Sequence, residues 1–148
     1  MIREILERAQ QRARELNLEY EGALLPTEAH YLLQHAPGAR LVDVRTRAEL
    51  DWVGRIPDAV EIEWLSYPGM QRNPHFLDHL AAQVDPESLV MFICRSGNRS
   101  HFAATLATGH GWRDCYNVLE GFEGDKDQHG HRNSRGGWRH AGLPWSQG

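Results

Sequence analysis

The feature that most restricts this chain is a run of five apolar residues, Leu89 to Ile93, that passes directly into Cys-Arg-Ser-Gly-Asn-Arg-Ser and then into a helical pattern reaching Thr108. Asp85-Pro86 precedes the run and Ser-Gly-Asn follows it. So short an unbroken apolar stretch reads as a strand buried on both faces, the kind found in parallel sheets covered by helices. The pattern repeats after Gly22. Strands are expected over 22–25, 40–44, 60–64, 89–93 and 115–119, with helices over 27–35, 47–53, 73–84 and 100–108. The expected fold is α/β: an open parallel sheet of about five strands with helices on both faces.

Before this core, Ile2, Ile5, Leu6, Ala9, Ala13 and Leu16 recur at three- and four-residue steps, with Arg and Glu on the opposite side. That is an amphipathic helix, read as docked on the domain or helping a dimer form. Residues 1–20 are thus expected as a helical extension and 21–148 as one domain, in keeping with a 148-residue chain. After the last strand, residues 121–137 are rich in Gly, Asp, His and Arg with no apolar period, and read as a surface loop. Trp138, Leu143 and Trp145 then return apolar bulk to cover an edge of the core.

Several classes of function drop out on composition. The 16 basic side chains against 20 acidic ones leave a formal charge of −4, which argues against nucleic acid as a partner. Two cysteines are too few for a disulfide scaffold and suit a reducing compartment, so a cytoplasmic protein is expected. No window approaches the roughly 20 apolar residues of a membrane span, and the opening lacks the apolar core of a secretory signal. Glu4, Glu7 and Glu15 among the early arginines also depart from an organelle transit peptide.

Chemistry concentrates at Cys94. It stands at the C-terminal end of a buried strand, the sheet edge where ligands bind, ahead of the positive N-terminus of a helix. Ser100 is expected as that helix's N-cap, and Gly97 permits the tight curl that turns the loop's N–H groups inward. The curl makes a nest for an anion. With Arg95 and Arg99 added, the thiolate of Cys94 is favoured and the residue becomes a nucleophile. A thiol that merely packs has no need of six consecutive residues without an apolar side chain, Arg95 to Ser100, after it. Cys115, in the strand-like DCYNVL, is the contrasting case and is expected to be a buried structural thiol.

At this point the chain resembles the rhodanese-like sulfurtransferases in their single-domain form. The likeness is carried by LVDVRTRAELDWVGRIPDAVEIEW from Leu41 to Trp64, by the loop CRSGNRS from Cys94 to Ser100, and by NVLEGFEG with GWRHAGLPW. The resemblance implies that Cys94 takes a sulfane sulfur from a small anionic donor such as thiosulfate. It would hold the sulfur as a persulfide and pass it to cyanide or a thiol, a protein thiol included. The backbone N–H groups of Arg95 to Ser100 would form the anion cradle. Arg95 and Arg99 would add charge at its rim, and the side chains of Ser96, Asn98 and Ser100 would hold its shape. No metal or organic cofactor is implied.

Loop length separates two enzyme classes. Cysteine phosphatases resemble this arrangement but place five residues between nucleophile and arginine, whereas four lie between Cys94 and Arg99. The smaller ring suits a sulfur atom better than a tetrahedral phosphate or arsenate. A non-catalytic module that keeps the loop is the other alternative.

Asp43 and Arg45 fall on the same sheet edge and have two readings. Arg45 positions substrate, or it forms an internal ion pair with Asp43 or Glu49, which is preferred. Arg55 and Asp58 stand where the family more often has histidine and glycine. Nine histidines do not make a metal site: His129 and His131 lack completing ligands, and the calcium-loop-like stretch from Asp125 ends on Gly136 where a bidentate Glu belongs. His101 is read as a partly exposed spacer in preference to a proton donor, and the five tryptophans as core and edge cover.

Overall fold

In the computed structural model, which describes residues 1–66 and 69–147, the elements run α1 (Ile2–Leu16), β1 (Gly22–Leu24), α2 (Pro26–His35), β2 (Arg40–Asp43), α3 (Arg47–Trp52) and β3 (Val60–Glu61). A small hairpin, β4 (Leu65–Ser66) with β5 (Gln71–Arg72), then leads to α4 (Phe76–Gln83), β6 (Leu89–Ile93), α5 (Asn98–Thr108) and β7 (Asp114–Val118). The five-stranded sheet has the order β1-β7-β6-β2-β3, and its pairings are all parallel. The expected α/β architecture is therefore present, with the apolar run as the middle strand.

Side chains alternate across a strand, and β6 divides the core accordingly. Val90 and Phe92 join Phe76, Leu80, Ala103 and Ala107 on the side of α4 and α5. Met91 and Ile93 join Ile5, Ala9, Ala29 and Leu32 on the side of α1 and α2. Cys94 continues the Val90–Phe92 face. Its side chain is thereby directed to the layer whose helix follows it in sequence.

Of the two readings of α1, docking on the domain is what the structure shows. Ile5, Ala9 and Ala13 are buried. A Cβ at Gly22 would lie 2.7 Å from the Tyr116 ring and 2.9 Å from the Ala9 backbone, so only glycine lets helix and strand approach this closely. Arg12 reaches Glu28 at 2.7 and 3.1 Å. Burial pushes the Glu28 carboxyl up, but Arg12 and the Leu25 N–H more than offset this and hold it below the usual carboxylate range.

Three expectations are corrected. The strand over 60–64 is assigned only to Val60–Glu61, although Ile62 and Trp64 still donate to the Asp43 and Val44 carbonyls at 3.1 and 3.0 Å. The helix over 73–84 begins at Phe76, because Asn73 anchors a turn instead: its side chain donates to Glu63 O and accepts from His75 N–H. The 121–137 segment is not wholly surface. Phe122 is fully buried, as is Trp138 beyond it. Among the tryptophans, Trp64, Trp112 and Trp138 are core, while Trp52 is 80% exposed. Among the described residues no helix is long and apolar enough to cross a membrane.

Candidate active site

Cys94 is buried to within 1% at the C-terminal end of β6. Gly97 takes φ 107° and is the N-cap of α5, so the helix starts at Asn98. That left-handed turn folds the loop back far enough for the Gly97 N–H to donate to the Cys94 Sγ at 3.1 Å. The expected N-cap, Ser100, lies one turn inside the helix and is fully buried. Its Oγ is 3.3 Å from the Cys94 Sγ and 2.5 Å from the Asn117 Oδ1. The Asn117 Nδ2 donates to the Gly97 carbonyl at 3.1 Å. Sulfur, loop and β7 are thus tied by one polar side chain from the neighbouring strand.

The charge expected from Arg99 at the rim is already paired. Its two terminal nitrogens donate to the Glu49 carboxylate at 2.6 and 2.8 Å. Burial pushes the Glu49 carboxyl up, yet Arg99, with Thr46 N–H and hydroxyl, outweighs it and holds the group at about 2. Glu49 also closes a capping box with Thr46 at the start of α3, so one carboxylate fixes both a helix terminus and the arginine of the Cys94 loop. Arg95 is exposed and makes no ion pair among the described residues.

Together these residues border a cavity of about 490 Å³, lined by Cys94, Arg95, Ser96, Asn98 and Arg99 with Leu65 and Met70 opposite. Most of the sequence-derived loop is therefore gathered around one opening. Asp43 and Arg45 are not. Both are fully buried, and the guanidinium donates to the carboxylate at 2.6 and 2.9 Å and to Gly54 O at 2.9 Å. The internal ion pair forms with Asp43, not Glu49, and Phe122 stacks beneath it with its ring centroid 4.1 Å from Cζ.

The loop is backed by the segment after β7. Phe122 N–H donates to Cys94 O at 2.8 Å and Glu123 N–H to Arg95 O at 3.0 Å. His101 is half-buried, with Nδ1 2.8 Å from the Tyr20 hydroxyl. Cys115 is fully buried, and burial pushes its thiol up to about 12. His129 and His131 are exposed, and their backbone N–H groups donate to Asp127.

Three residues at the site were not placed there by sequence reasoning, which named Glu49 only as a possible partner of Arg45. Glu49 had a readable signal, its spacing from Thr46 in a capping box. Asn117 had one as well, a lone polar side chain within an apolar strand. Phe122 had none, since a single aromatic in a Gly-rich stretch has no period.

Comparison with known proteins places this geometry in context. The family described as "Rhodanese-like domain" matches residues 26–128. The crystal structure of Rv0390 from M. tuberculosis is similar with a TM-score of 0.80 and 43% identity, over 87% of this chain and 99% of that one. An uncharacterized protein of Rickettsia conorii, RC0915, is 37% identical over 80% of this chain and 92% of its own length. The thiosulfate sulfurtransferase GlpE of Pseudomonas savastanoi pv. phaseolicola is 33% identical over 66% of this chain and 80% of its own.

Proposed function

The chain belongs to the rhodanese-like domain family, which includes sulfurtransferases such as GlpE, and from that premise we propose that it is a sulfurtransferase working through a persulfide on Cys94. The observation that carries this reading is the Cys94 sulfur, which receives the Gly97 N–H at 3.1 Å and lines a cavity walled by its own loop. An N–H aimed at sulfur stabilises negative charge there, on a thiolate or on a persulfide.

With thiosulfate as donor, the Cys94 thiolate attacks the outer sulfane sulfur. A Cys94 S–S bond forms, the S–S bond of thiosulfate breaks, and sulfite leaves with the bonding pair. Cyanide or a thiolate then attacks the terminal sulfur of the persulfide, and Cys94 departs as thiolate. Charge is conserved in each half, and the exchange needs neither metal nor organic cofactor. Arg95, exposed and unpaired among the described residues, is the cation for the anionic donor. Ser96 and Asn98 shape the opening, and Asp43 and Arg45 support the scaffold beside it. The acceptor is a small nucleophile or a protein thiol, and the setting is a reducing cytoplasm without nucleic-acid or membrane partners.

The test is mass. Incubation with thiosulfate adds one sulfur atom to the native protein and none to Cys94→Ser, and cyanide removes it as thiocyanate. Equal gain by both proteins removes Cys94 from the mechanism. Faster hydrolysis of an aryl phosphate than thiocyanate formation favours a phosphatase, and absence of both reactions favours a binding module.

A further inference from the structure

Ser100 has one hydroxyl proton and two acceptors in reach, the Cys94 sulfur at 3.3 Å and the Asn117 Oδ1 at 2.5 Å. It can serve only one of them. The oxygen–oxygen distance decides which, because two lone pairs facing each other at 2.5 Å repel, whereas O–H···O bonds of that length are at the short end of the normal range. Turning the amide over does not escape this. Its NH₂ would then sit 2.5 Å from the serine oxygen, shorter than N–H···O bonds run, and its oxygen would face the Gly97 carbonyl at 3.1 Å. The proton therefore lies on the Asn117 side, and Ser100 presents a lone pair to Cys94.

We propose that Asn117 is a positioning residue that withholds the Ser100 hydroxyl proton from the Cys94 sulfur, so that Ser100 presents an acceptor and not a donor to it. The inference rests on the reading of Cys94 as the reacting group. Among the described residues the sulfur has one backbone donor, the Gly97 N–H. Asn117 Oδ1 keeps the proton whether the sulfur is thiol or thiolate, so with Asn117 in place the Ser100 oxygen is an acceptor only. The charged and titratable groups around the sulfur are Arg95 and Arg99 of the loop, Glu49 of α3, the Asp43–Arg45 pair, and Tyr20 with His101. None of them is substituted in the variants below; Asn117 also lies against the Tyr20 hydroxyl, so each Ser100→Ala effect is read within one background.

The experiment is a titration of the Cys94 thiolate by its ultraviolet absorbance, checked by the pH dependence of iodoacetamide labelling, in four proteins: parent, Ser100→Ala, Asn117→Ala and the double variant. With Asn117 present, Ser100→Ala removes an acceptor from the thiol, so the midpoint falls by about one pH unit. On the Asn117→Ala background the hydroxyl is free to donate to the thiolate, so the same Ser100→Ala change raises the midpoint by about one unit. This reversal of sign is a coupling that a merely structural role of Asn117 does not produce. A rise or no change on Ser100→Ala in the parent overturns the proposal, as does the same sign in both backgrounds. If Asn117→Ala does not fold, the sign in the parent alone decides. Sulfur uptake is not read in this titration. A Cys94 that takes no sulfur from thiosulfate would instead sink the proposed reaction.

Discussion

Glu49 holds Arg99 in a two-point grip, Oε1 to Nη1 at 2.6 Å and Oε2 to Nη2 at 2.8 Å, with both side chains largely buried. The pair joins the first turn of α3 to the first turn of α5 across the mouth of the cavity. It also divides the two loop arginines into different roles. Arg99 is electrically matched by Glu49, while Arg95 is exposed and unpaired among the described residues.

Glu49→Gln keeps the size and the capping oxygen but removes the charge. We expect a loss of about 2–3 kcal/mol, read as a lower urea midpoint with an unchanged slope. The pH dependence has a definite sign. A carboxyl held at about 2 instead of 4.5 is stabilising above pH 4.5, and that contribution, about 3 kcal/mol, is lost as the pH falls through 2. Parent and variant stabilities converge at the acid end. A gap that persists undiminished to pH 2 would show that the charge is not its source.

Arg95→Ala and Arg99→Ala separate binding from stability. Loss of the exposed Arg95 raises KM for thiosulfate about tenfold, leaves kcat within about twofold, and leaves the thermal midpoint unmoved. Arg99→Ala strands the Glu49 carboxylate, so it lowers stability before any kinetic constant is considered. Steady-state kinetics beside a melting curve distinguishes the two, and a KM increase confined to Arg99→Ala would reverse the assignment.

What the sequence makes legible follows from the range of the signals. The apolar run Leu89–Ile93, its abrupt end at Cys94 and the polar loop are contiguous, so strand, sheet edge and the position of the thiol are readable together, and each stands where expected. Ser100 shows the limit of local rules. A serine before a helical pattern is a good N-cap, but the left-handed turn available at Gly97 starts the helix earlier and turns Ser100 inward. The Glu49–Arg99 contact spans 50 residues. Nothing in either neighbourhood announces the other, so the arginine looked available. Phe122 escaped because its burial depends on a close passage of the chain behind the loop, which no periodicity records.

The two thiols separate under labelling. Cys115 is fully buried and pushed up to about 12, so it stays protonated and unreactive through pH 9. Native protein treated with iodoacetamide therefore gains one adduct, on Cys94, and a second only in denaturant. Because burial raises the Cys115 thiol, its contribution to stability is complete below the ordinary value of 9 and is lost as pH rises through 12. Two adducts on native protein at neutral pH would mean that β7 opens far more readily than its packing implies.

The passage behind the loop supplies the sharpest structural test. Gly121 has φ +64°, and a Cβ there would lie 2.5 Å from Cys94 O and 2.6 Å from the carbonyl carbon of Arg95. Both obstacles are backbone of the Cys94 loop, which the 121–123 segment itself grips through the Phe122 N–H on the Cys94 carbonyl and the Glu123 N–H on the Arg95 carbonyl. Gly121→Ala therefore cannot be absorbed by a side-chain rotation. Either the 121–123 strap lifts, or the Cys94–Arg95 peptide is pushed toward the cavity. Left-handed strain and overpacking together cost about 2–4 kcal/mol, and sulfur transfer falls by at least about tenfold, since misplacement of a reacting group by about 1 Å carries a penalty of that order or larger. Gly130→Ala, at a positive φ with open space around it, serves as the control: it carries the strain without the collision. Denaturation and thiocyanate formation measured on both variants separate the two effects. Equal losses would attribute the whole result to backbone strain and leave the strap without a role in placing Cys94.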